Sequence, residues 1–265
     1  MAAILTQSRF GSQAVWTIGS GRPAIVLHGG PGLDHSYLVQ PLLPISDMRQ
    51  LIFFDQIGCG QGQQLPTDFI ISHLTAQFIA IIDHASRERP VDVIAHSWGA
   101  YIVYSAMGSL TTSQLGSIAL VSPIGLTRDA FDESGKRLLA RVPQDVQTDV
   151  ERLFAIGSNV EAMEKLLPCY LGNPGRTVEL HFATYNPTTY ETVIEKLGDY
   201  DFRVAARLSR HRIGLIYGSN DIELPSETVE LHSSSRLMVL PDAGHFPFAE
   251  KPTQFQGALR EILTA

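Results

Sequence analysis

The chain has 265 residues, 44% apolar and 18% charged, which places it among globular proteins and allows one large domain or a domain with an insertion. A net charge of −7 leaves no basic stripe to neutralise phosphates, so nucleic-acid binding is disfavoured. Cys59 and Cys169 lie far apart, match no metal spacing and read as free thiols; no metal or cofactor is expected.

The opening "MAAILTQSRFGSQ" lacks a basic stretch leading into an apolar one, and nothing approaches the roughly 20 apolar residues of a membrane span. The expectation is a soluble cytoplasmic protein with no membrane partner and an open oligomeric state. "SRFGSQAVWTIGSGRP" reads as an edge hairpin. Near-continuous Val/Ile/Leu/Phe runs follow at 23–29, 49–56, 91–97, 116–123, 212–221 and 235–244, as suits strands buried on both faces of a mostly parallel sheet. Helical periodicity lies between them at 74–88, 100–110, 226–234 and 253–265. Alternating β and α segments predict an α/β fold.

One region breaks the alternation. From Gly125 to Arg207 there are only helix-prone pieces, punctuated by Pro143, Pro168, Pro174 and Pro187. That is too long for an ordinary loop, so the reading is a core of residues 1–124 and 208–265 carrying a helical cap at 125–207.

Chemistry-bearing residues fall at the ends of predicted strands, where open α/β sheets gather their functional groups. "AHSWGA" places Ser97 between a strand and a helix, with small residues around it, as a strained strand-to-helix turn requires. Taken alone, the pentapeptide is equally a serine in an ordinary turn or a helix N-cap. His245, after the last predicted strand, is the candidate base. His96 adjoins the serine but points elsewhere in an extended segment, and His73, His84, His181, His211 and His232 fall in helical or connecting segments. Asp221 in "IYGSNDIELP" is the candidate acid, against Asp199 and Asp201, which no strand positions, and Asp242, which is too close to His245 in sequence. Oxyanion donors are expected from the amide of Trp98 and from the glycine turn "HGGPG", with Gly30 first and Gly29 second.

Together "HGGPG", "FFDQIGCGQG", "AHSWGA", "YGSNDIELP" and "DAGHFPFAEKP" resemble the proline iminopeptidase branch of the α/β-hydrolases, over about two thirds of the chain. The resemblance implies an α/β-hydrolase fold, Ser97 as nucleophile, Asp221 as orienting acid, His245 as base, and the Gly30 and Trp98 amides as oxyanion hole. It also implies a helical cap over the site. The chain departs from the family at Ile57, Gly62, Ala95 and His96. It departs also in the cap, where "TYNPTTYETVIEK" has Thr or Tyr in place of an amine-binding glutamate. Glu191, one residue along, and Glu223, beyond Asp221, are the substitutes. The expected activity is serine hydrolysis of a small ester or amide through an acyl-enzyme. The alternatives are an aminopeptidase acting on short peptides, and a ligand receptor or lyase that keeps the three residues.

Overall fold

The apolar runs become strands because both faces of each are covered. In the computed structural model, which describes residues 5–223 and 236–264, they form an eight-stranded sheet. β1 (Thr6–Phe10) and β2 (Gln13–Ile18) make the expected antiparallel edge hairpin, and β2 pairs antiparallel with β4 (Arg49–Phe53). β3 (Arg22–Leu27), β5 (Val91–His96), β6 (Leu115–Val121), β7 (Arg212–Gly218) and β8 (Arg236–Leu240) continue in parallel, giving the order β1-β2-β4-β3-β5-β6-β7-β8.

Alternate residues serve alternate faces. Ile25, Leu27, Val93 and Ala95 pack against Phe78 and Ile82 of α2 (Ser72–Ala85) and Ile102 of α3 (Gly99–Ala106). Ala24, Val26, Ile94 and Ala119 pack the other way, against Leu38 and Leu42 of α1 (Ser36–Leu42) and Leu259 of the C-terminal helix Pro252–Thr264. Sequence periodicity does not reveal α1. It is short, carries Pro41 inside it and runs into a 3-10 turn at Leu43–Asp47. The expected helix at 226–234, with His232, lies outside the described residues.

Several strands stop before their apolar runs do: the run to residue 221 leaves the sheet after Gly218, and the run to 244 after Leu240. The residues beyond form loops at the carboxyl edge, exposed at Ser219, Asn220, Pro241 and Asp242 and buried at Asp221, Ala243 and Gly244. Between β6 and β7 lie α4 (Arg128–Leu139), α5 (Gln144–Ala155), α6 (Asn159–Tyr170), α7 (Pro187–Lys196) and α8 (Arg203–Leu208). Thr127 and Asn186 cap α4 and α7, accepting from the amides of Ala130 and Thr189 at 3.2 Å each. Among the described residues no helix is long and apolar enough to cross a membrane. Cys59 and Cys169 are both free and buried.

One charge breaks the apolar pattern inside the sheet. Asp92, in β5, is fully buried, yet it meets Arg49 of β4 at 2.7 Å and Arg22 of β3 at 3.3 Å, and accepts the Ser117 amide of β6 at 2.7 Å. One carboxylate thereby ties four strands at their amino end. Replacing it would leave the mostly buried Arg49 without its carboxylate partner and the Ser117 amide unpaired. Asp92→Ala is therefore expected to cost about 3–5 kcal/mol of stability, measured by urea unfolding.

Candidate active site

The end of β5 is where the backbone is most constrained. Ser97 has φ of 52°, in the left-handed region, and its amide still donates to the Val121 carbonyl of β6 at 3.0 Å. The chain turns straight into α3, and Ala100 donates to the Ser97 carbonyl at 2.9 Å. This packs the turn against β3: a Cβ on Gly99 would sit 3.0 Å from the carbonyls of Leu27 and His28. Ala95 sends its methyl into the core beneath α2 and α3 and is accommodated there.

His245 reaches this turn from the loop after β8. Its Nε2 lies 2.9 Å from Ser97 Oγ and its Nδ1 lies 2.8 Å from Asp221 Oδ1. Asp221 can only accept, so Nδ1 carries the proton and Nε2 is left to accept from the serine hydroxyl. Burial pulls the His245 pKa down, but the charge and hydrogen bond of Asp221 outweigh it and the net shift is upward. Asp221 goes the opposite way: burial pushes it up, and the neighbouring His245 pulls it below its usual range.

Both loops are held by the helices inserted between β6 and β7. The His245 amide donates to the Tyr170 carbonyl at 2.9 Å. The buried Glu250 carboxylate accepts from the amides of Gly244 at 2.7 Å and Gly172 at 2.9 Å, with Arg176 3.8 Å away. A Cβ on Gly244 would collide with the Tyr170 carbonyl, which is why the chain is bare there. On the acid side, Arg137 of α4 donates to the carbonyl of Ile222 at 2.5 Å, and Arg141, just past that helix, donates to that of Asn220 at 2.9 Å.

Ser97, His245 and Gly30 line a cavity of about 240 Å³. Its far wall comes from the inserted helices: Leu138, Phe154, Met163, Tyr170 and Tyr190, with Tyr185 between α6 and α7. Among the described residues no aspartate or glutamate lines it. Gly30 has φ of 117° and faces this space, whereas the Gly29 amide is already taken by Tyr37 Oη at 2.6 Å. Trp98 follows Ser97 at the N-terminus of α3.

The two glutamates separate. Glu191 is exposed on α7 and stands apart from the cavity. Successive helical residues point about 100° apart, and Tyr190 holds the inward direction. Glu223 is buried beside Asp221, donating its amide to Asp221 Oδ1 at 3.1 Å, and burial pushes its carboxyl up to about 8. His96 does not point away from the site as the extended-strand argument expects. It lines the same cavity, its ring centroid 5.1 Å from that of His245. Sequence reasoning also passes over Tyr37, Tyr170, Tyr185, Tyr190 and Glu250. Glu250 stands inside the "HFPFAEKP" segment, but nothing local marks its distant partners.

A family model described as the alpha/beta hydrolase family matches residues 24–257. Proline iminopeptidase of Heyndrickxia coagulans is 27% identical, over 93% of this chain and 92% of the relative. Among solved structures, proline iminopeptidase of Mycobacterium smegmatis superposes with a TM-score of 0.67 at 20% identity, covering 98% of each chain. E-2-(acetamidomethylene)succinate hydrolase does so with a TM-score of 0.69 at 18% identity, over 99% of this chain and 100% of that one. The chain belongs to the alpha/beta hydrolase family, and hydrolysis is the activity this membership supports.

Glu223 gives a test of the electrostatics. Its folded pKa lies above its unfolded one, so the native state keeps a proton that the unfolded chain releases. Stability from this group is complete below the usual glutamate range and is lost as pH rises toward about 8. Glu223→Gln keeps the shape and removes the titration. Its melting temperature should fall less than that of the parent between weakly acidic and mildly alkaline pH.

Proposed function

We propose that this alpha/beta hydrolase cleaves small uncharged esters or amides through an acyl-enzyme on Ser97. His245, held in one tautomer by Asp221, takes the Ser97 proton as Oγ attacks the carbonyl carbon. The tetrahedral oxyanion is met by the amides of Gly30 and Trp98, the second at the start of α3 where the helix dipole favours negative charge. His245 then returns the proton to the leaving group. Water, activated by the same imidazole, attacks the ester on Ser97 and releases the acid. In this reading residues 125–207 are a cap that shapes the pocket on a core of 1–124 and 208–265.

The observation that carries the reading is the pairing of distances of 2.9 and 2.8 Å along Ser97, His245 and Asp221 with a cavity wall that, among the described residues, holds no carboxylate. An aminopeptidase must hold a cationic N-terminus, and a desolvated ammonium needs a charged partner. Here the wall offers leucine, methionine, phenylalanine and tyrosine, and Glu191 faces solvent. The similarity to proline iminopeptidases supports the second reading, release of an N-terminal residue. In that case Glu223 is the remaining buried carboxylate for the amine.

Ser97→Ala is expected to abolish turnover while the fold and melting temperature are retained; full activity in this variant would refute the assignment. A panel of short-chain p-nitrophenyl esters, lactones, and proline and alanine arylamides separates the two readings. Ester cleavage without arylamide cleavage is the expected outcome, and preferential release of proline would overturn it. Because attack needs neutral His245, whose pKa is raised, kcat/KM should climb with pH through a step above the ordinary histidine range.

A further inference from the structure

His96 and Tyr37 join the glycine turn after β3 to the loop that carries His245. The Gly29 amide meets Tyr37 Oη at 2.6 Å, Tyr37 Oη meets His96 Nδ1 at 2.8 Å, and His96 Nε2 meets the His245 carbonyl at 2.9 Å. The two ends of this chain fix its middle. An amide can only donate, so Tyr37 Oη accepts from Gly29. A carbonyl can only accept, so His96 Nε2 carries a proton and donates to His245. The neutral ring then has a bare Nδ1, and the single hydroxyl proton of Tyr37 satisfies it. Every donor in the chain has one acceptor, and only one proton arrangement fits.

The surroundings favour that arrangement. His96 packs against Phe246 and Phe248 with ring centroids 5.3 and 5.0 Å away, and Tyr37 packs against Phe182. Burial, reinforced by nearby His245, pulls the His96 pKa down to about 3, which keeps the ring neutral. α1 delivers Tyr37, and the Asp34 carboxylate accepts the Ser36 amide at 2.8 Å at its start.

We propose that His96 and Tyr37 are positioning residues: a neutral, proton-ordered bridge that fixes the His245 backbone against the Gly29–Gly30 turn. The bridge would act in two places. At one end it stops the His245 loop from sliding along Ser97. At the other it occupies the Gly29 amide, so that only Gly30 is left to face the cavity from that turn. The catalytic part of this inference rests on the serine-hydrolase reading; the proton arrangement does not.

The experiment therefore has two arms. Long-range proton–nitrogen NMR on the uniformly labelled wild-type protein requires no turnover. It should show His96 as one neutral tautomer, protonated at Nε2, from about pH 5 to 8. Tyr37→Phe, which removes only the oxygen, should shift the unprotonated Nδ1 resonance by taking away its donor while the proton on Nε2 stays with the His245 carbonyl. In the kinetic arm, on an ester that the wild type cleaves, Tyr37→Phe and His96→Phe should each lower kcat about tenfold or more with KM little changed, as expected for lost alignment. His96→Gln, which keeps one donor and one acceptor, should recover most of the rate. A proton found on Nδ1, or a cationic ring at neutral pH, overturns the bridge. If the phenylalanine variants lose thermal stability but keep wild-type kcat and pH profile, the bridge is only structural and the positioning role fails. A wild type that takes no fluorophosphonate label at Ser97 removes the hydrolase reading, while the tautomer still decides the bridge.

Discussion

The geometry at the carboxyl edge depends on how one buried carboxylate is shared. Glu250 accepts from two amides, that of Gly244 beside His245 and that of Gly172 beyond α6, and so fixes the separation between the core loop and the inserted helices. Without it two amides would be left unpaired in the interior, at about 1–3 kcal/mol each. The Tyr170 carbonyl, which accepts from the His245 amide, belongs to the same clamp. On the acid side, Arg137 of α4 and Arg141 just after it hold the carbonyls around Asp221. The inserted helices are therefore not merely a roof. They supply the fixed points against which the two loops are set, and a free-swinging lid would be a poor description of them.

The two ends of the sheet do different work. At the amino end Asp92 gathers Arg22, Arg49 and the Ser117 amide, so that three other strands satisfy its buried charge. At the carboxyl end Ser97, His245 and Asp221 are paired in an arrangement that leaves Ser97 facing a cavity. The buried charge cluster and the candidate site thus lie at opposite edges, with the parallel strands between them.

How legible this was in the sequence follows from what local pattern encodes. Period-two burial and the length of apolar runs report strands, because covering both faces is a local demand on composition. The helix-prone stretch from Gly125 to Arg207 and the hairpin at the edge are legible from local pattern too, but the division of that stretch into five helices is not. The run from Arg212 overestimates its strand because the chain leaves the sheet after Gly218 and places Asp221, still buried, in the loop beyond. α1 was hidden by Pro41 and by its length, although it delivers Tyr37. Ser97, Asp221 and His245 were nameable because each sits just past a strand. The choice between Glu191 and Glu223 was not, since one residue of helical rotation separates a wall position from solvent. His96 was set aside by strand alternation, which gives a direction but not a partner, and its partners lie 59 and 149 residues away.

The left-handed backbone at Ser97 has a consequence for how this protein can change. A non-glycine residue at φ of 52° is held there by the ladder bond to Val121 and by the close fit of Gly99 under β3, against its own preference. Glycine would rest in that conformation without penalty. Natural or laboratory selection acting on thermal tolerance alone would therefore drift toward losing the hydroxyl.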